Sequence, residues 1–176
     1  MSRNISSLVA VSGLGTGLVH LAVGAGSPLP FFIVFVASGA AELVWAVLTL
    51  VMSRVPAPRA FVAVTLLPVA FWAVSIALGL GALLPLGPLA AASALAVVTA
   101  AVVVVSLRRA AAAGEPRTDD ADEHPWRFIG TLAASAAIVS ALVTPALSGT
   151  WAGQFAVPHG SHDVPGPAIT DEHDGH

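Results

Sequence analysis

Apolar positions run almost unbroken through five stretches of the chain, at about 5–24, 31–52, 60–83, 88–107 and 127–147. Each is close to the ~20 residues a helix needs to cross ~30 Å of hydrocarbon. In lipid the backbone must satisfy its own hydrogen bonds, so runs of this length predict helices. A barrel strand would be half as long and would alternate apolar with polar, which these runs do not. The connections agree. Gly26-Ser27-Pro28-Leu29-Pro30 reads as a tight turn, Pro56 and Pro58 punctuate the second connection, and Pro85 and Pro88 the third, because proline ends helices and disfavours helix in the residue before it. The fourth connection, 108–126, is longer and polar, and carries Glu115, Asp119, Asp120, Asp122 and Glu123. It reads as a solvated linker or a docking site for a basic partner. The fold expected is therefore an all-α membrane bundle of five helices, 1–147, followed by a mobile tail, 148–176.

Composition sharpens that picture. Of 176 residues, 56% are hydrophobic and 10% charged, and the mean hydropathy is +0.87. A soluble domain carries about 25% charged residues. Disorder of the whole chain needs low hydrophobicity and high net charge, and neither holds. Seven basic residues against ten acidic ones, for a net charge of -3, argue against nucleic acid as a partner. The partner implied is the lipid bilayer, with a further membrane protein or a second copy of the chain as candidates.

All seven basic residues are arginine. Arg3 precedes the first span, Arg54 and Arg59 follow the second, and Arg108, Arg109, Arg117 and Arg127 lie between the fourth and fifth. Five alternating spans put all of them on one side. The positive-inside rule makes that side cytoplasmic, with the N-terminus inside and the tail outside, in a plasma-membrane protein. An alternative makes the first run a cleaved signal peptide with a site near Val23-Gly24-Ala25; the tail is outside either way. Trp126 at the inner interface, and Phe31, Phe32 and Trp151 near the outer one, fit an aromatic belt.

No catalytic motif occurs, so an enzyme is not expected. There is no cysteine and only two methionines, Met1 and Met52, which removes thiolate chemistry and a soft Cu(I) pathway. Glu42 is the one acid inside a span. It falls ~17 Å into the second helix, near the midplane, where an ionised carboxylate costs a few kcal/mol or more. It reads either as a proton- or cation-binding group or as a neutral acid that locks helices together. Trp45, three residues on, is expected on the same face. Trp72 and Ser75 form a similar pair in the third helix, and Ser12 and Thr16 offer hydroxyls in the first. His20, the one histidine in a span, lies about a turn from the outer end of its helix. Counting from the helix ends separates it from Glu42 by ~12 Å of depth, so no direct pair is expected. Gly13 and Gly17, with Gly130, Ala134 and Ser135 in the fifth helix, are expected to permit close helix contact, and Pro68 to kink the third helix.

Four of the six histidines stand in the tail. They form two H-x-x-H pairs beside acids, His159-Gly-Ser-His162-Asp163 and His173-Asp174-Gly175-His176. Imidazole with carboxylate suits Zn or Cu(II). The tail reads either as a loose metal site, for metal handling or sensing, or as solvated chain with incidental histidines. Three roles follow for a non-enzymatic membrane protein: metal binding through the tail, an accessory subunit of a larger complex, or a small transporter with Glu42 as its proton or cation site.

The strings Gly17-Leu-Val-His20-Leu-Ala22, Phe31-Phe-Ile-Val-Phe35 and Gly39-Ala-Ala-Glu42-Leu-Val-Trp45-Ala-Val-Leu48 resemble a group of small multi-pass membrane proteins of actinobacteria. So do Thr144-Pro-Ala-Leu147 and Ala156-Val-Pro-His159-Gly-Ser-His162. The resemblance implies a multi-pass plasma-membrane protein and brings no catalytic residues with it. Related chains tend to have a longer polar turn after the first helix, and the short Gly/Ser/Pro turn here argues against an outer-face site at His20.

Overall fold

The structure is a computed structural model that describes residues 3–112 and 125–155. Five long helices account for most of it: α1 (Arg3–Ala25), α2 (Leu29–Met52), α3 (Pro58–Ala77), α4 (Leu86–Ala112) and α5 (Pro125–Ser148). Short 3₁₀ turns occur at Gly81–Leu83 and Ala152–Phe155, and there is no strand among the described residues. All five helices are long and apolar enough to cross a membrane. The class expected from hydropathy is the class found.

Two boundaries differ from the sequence reading by more than two residues. The third apolar run continues to Leu83, but α3 stops at Ala77. Gly79 takes φ +78, its N–H bonds the Ile76 carbonyl, and the Leu80 N–H bonds the Ser75 carbonyl. These bonds form a Schellman cap, which glycine favours because it has no Cβ to clash in the left-handed region. The segment beyond it is apolar without being α-helical. At the other extreme α4 continues five residues past Leu107 to Ala112, since alanine and arginine are strong helix formers.

Neighbouring helices alternate in direction. Trp45 packs on Phe61 and Phe35 on Phe71, which fixes α2 and α3 as antiparallel. Gly149 at the end of α5 meets Pro88 at the start of α4, and Arg3 lies over the Phe128 ring, 4.8 Å from its centroid. The described arginine side chains, Arg3, Arg54, Arg59, Arg108 and Arg109, are all exposed and collect at one end of the bundle.

Helix α1 is the centre. It packs against α2, α4 and α5, and over half of its apolar window is buried, against a third or so for α2 and α4 and less for α3 and α5. Its glycines explain this. A Cβ on Gly13 would touch the Cβ of Ala46 at 3.4 Å, and one on Gly17 would meet the Gly39 carbonyl oxygen at 3.0 Å. A Cβ on Gly15 would collide with Val139 and Val143 of α5. Lipid gives helices no hydrophobic reason to associate, so close van der Waals contact through small residues carries the packing. The expectation for Gly13 and Gly17 therefore holds. That for α5 does not hold at Gly130, where an added Cβ would find nothing within 4 Å.

The exposure that an aromatic belt would require is found at three of its four aromatic positions. Trp126 is 81% exposed, and Phe32 and Trp151 are exposed as well. Phe31 turns inward and packs on Phe71 instead. Pro68 lies inside α3 and is buried; lacking an N–H, it gives the Val64 carbonyl no helical bond.

Candidate functional site: a buried histidine–glutamate pair

His20 and Glu42 meet in the core. His20 Nδ1 lies 2.8 Å from Glu42 Oε2, and each side chain is 1% exposed. The sequence reading kept the two apart by depth, and the structure corrects it. Counting from helix ends assumes that α1 and α2 are level at the turn. They are not. Gly24 packs against Val36, and Gly39 against Leu21, so the first turns of α2 stand beyond the end of α1. That offset leaves His20 and Glu42 within about one helical turn, roughly 5 Å, of each other. Side chains on a helix lean toward its N-terminus. In an antiparallel pair the two lean toward each other, which closes the rest of the gap.

Glycine makes the approach. The strings Gly17-Leu-Val-His20 and Gly39-Ala-Ala-Glu42 carry the same spacing, and the two glycines face each other across the helix contact. A polar residue three positions after each of two facing glycines is the signal that locates the pair in the sequence.

The His20 ring is held from a second side. It stacks on Phe35, with centroids 5.8 Å apart and planes 21° from parallel. Phe35 in turn meets the edge of Phe71. Imidazole therefore sits between a carboxyl group and an aromatic cluster that fixes its plane.

One proton between the two groups leaves the pair with no net charge. It can sit on His20, so that Nδ1–H donates to a carboxylate, or on Glu42, whose O–H then donates to Nδ1. Both arrangements satisfy the short contact. The free carboxyl oxygen, Glu42 Oε1, is buried and has no hydrogen-bond partner among the described residues. Thr49 Oγ1, Thr65 Oγ1 and Trp72 Nε1 share that condition. The register set by Trp45 on Phe61 and Phe35 on Phe71 puts Glu42 level with Val64 and Thr65 of α3. Buried polar atoms without protein partners are uncommon in folded proteins, and these four lie on α2, which carries Glu42, and on α3, which packs against it.

The other intramembrane residues separate from Glu42. Trp45 does not turn its indole to the acid: its N–H donates to the Pro56 carbonyl at 2.7 Å and its ring packs on Phe61. Ser75 donates to the Phe71 carbonyl within its own helix, so it makes no pair with Trp72. Thr16 likewise donates to the Ser12 carbonyl. Ser12, Thr16 and His20 still form one buried stripe at four-residue spacing on α1.

Among the described residues no three histidine or acidic side chains cluster as a metal site would require. His159, His162, Asp163, His173, Asp174 and His176 lie outside the described residues. No protein family, no curated protein and no solved structure matches the chain. Its class is defined by its own features: among the described residues, five helices of membrane-span length and one buried His–Glu pair.

Proposed function

We propose that the chain is a multi-pass protein of the plasma membrane, arginine-bearing end toward the cytoplasm, that works as a small proton transporter with His20 and Glu42 as its proton site. The observation that carries this reading is the 2.8 Å contact between two titratable groups that are both fully inside the bundle. An ionisable group at membrane depth is costly to keep, and a packed apolar pair there would cost nothing comparable. A lone carboxyl is a poor proton site, but here it has a basic partner and a spare oxygen, Oε1, that can accept a further hydrogen bond. The positive-inside rule supplies the orientation.

The test is proton flux into liposomes holding the full-length protein, driven by an imposed membrane potential and read with an enclosed pH dye. Flux above that of empty liposomes is expected. It should be abolished in Glu42→Gln and in His20→Ala while both variants remain monodisperse. No flux from the unaltered protein, or equal flux from Glu42→Gln, overturns the proposal.

The two H-x-x-H pairs favour a second, separate reading, in which the tail binds Zn or Cu(II). Its test is a metal titration of the full chain against one ending at Leu147. Binding by the full chain alone supports it, and equal binding or none by either sinks it.

A further inference from the structure

Between α1, α4 and α5 the bundle leaves a groove of about 570 Å³. Its floor is Ser12, Leu95, Ser135 and Val139, all buried, and its rims are Val98 and Ile138, both more than half exposed. The groove exists because α5 is pinned unevenly. Toward the arginine-free end Val139 and Val143 press onto Gly15, and Gly149 closes on Pro88. Toward the arginine-bearing end α5 presents Gly130 and Ala134, which are too small to fill the space. The Ser135 hydroxyl is already committed to the Thr131 carbonyl, so the groove offers mainly hydrocarbon surface, open to the side where lipid would lie.

Its lower mouth is basic. Arg3 lies over Phe128, two residues before Gly130. On α4, helical spacing carries the face of Leu95 and Val98 through Val105 to Arg109. Arg3, Arg108 and Arg109 are exposed, and no carboxylate pairs with Arg108 or Arg109 among the described residues. Basic groups at the end of an apolar cleft between membrane helices suit an anionic lipid head above its own acyl chain.

We infer that this groove binds one anionic phospholipid, with an acyl chain along α5 from Gly130 to Ile138 and the phosphate between Arg3 and Arg109. The inference rests on the membrane assignment of the helices and is independent of the proton site.

The experiment is native mass spectrometry of the full-length protein in detergent, titrated with phosphatidylglycerol or with phosphatidylcholine of the same chains. One phosphatidylglycerol should be retained per chain in preference to phosphatidylcholine. Arg3→Gln and Arg109→Gln should each weaken phosphatidylglycerol retention about five-fold, from ~1 kcal/mol per arginine near a membrane surface, and leave phosphatidylcholine unchanged. Gly130→Leu, whose side chain enters open space, should reduce retention of both lipids without lowering the melting temperature. Equal retention of the two lipids by the unaltered protein overturns the inference. So does unchanged selectivity in the arginine variants. Full retention by Gly130→Leu, or a lipid-free dimer in the same spectra, has the same consequence.

Discussion

The carbonyl oxygen of Gly17 lies 2.7 Å from where a Cβ on Gly39 would stand. Backbone faces backbone there, so neither helix can yield by moving a side chain. The His20–Glu42 contact lies one turn away on the same seam and depends on that approach. Gly39→Ala should therefore destabilise the bundle by about 1–3 kcal/mol, the usual range for overpacking a core. Gly130→Ala, with open space at its Cβ, should be close to neutral. Reversible unfolding in mixed detergent measures both. Equal stability of the two variants would contradict the packing described.

Removing one member of the pair should cost more than removing both. His20→Ala leaves a buried carboxyl with neither oxygen bonded, and breaking a buried pair by removing one partner costs about 3–5 kcal/mol. The double variant His20→Ala/Glu42→Ala strands nothing. A double-mutant cycle should return a coupling of about 3 kcal/mol or more. Additive losses would mean that the two groups do not interact in the membrane.

Trp45 ties the arginine-end turn to α2 through its bond to Pro56. That turn holds Ser53 and Ala57 at positive φ, a region that residues with a Cβ enter only at a cost of about 1–2 kcal/mol. Trp45→Phe keeps the ring against Phe61 and removes the donor. It should lower stability by about 1–2 kcal/mol and speed amide exchange across 53–57. An unchanged exchange pattern would show that the bond does not hold the turn.

Because the chain has no cysteine, single cysteines report topology directly. A cysteine at Ala112, at the end of α4, should react with an impermeant maleimide only after the cell is opened. One at Ser161 should react in intact cells. The reverse pattern would invert the proposed orientation.

The five helices were legible because twenty consecutive apolar residues have few alternatives to a membrane-length helix. Hydropathy is blind to backbone conformation, however, and the end of α3 was missed for that reason: Leu78 to Leu83 is as apolar as the helix it follows, and only the φ of Gly79 stops it. The pair was hidden by geometry. Both residues stood out as intramembrane polar groups, but the offset between α1 and α2 and the opposed lean of their side chains are tertiary properties. Gly130 and Ala134 show the converse limit. Small residues look the same in sequence whether they seat a neighbouring helix, as Gly17 does, or leave a groove.

The proposed proton site requires that His20 and Glu42 share a proton inside the bundle. Infrared difference spectroscopy of the carboxylic C=O stretch, recorded as pH is stepped, tests it most directly. A protonation-dependent band is expected that disappears in Glu42→Gln and shifts in frequency in His20→Ala. A band unaffected by His20→Ala, or a spectrum that Glu42→Gln leaves unchanged, would contradict it.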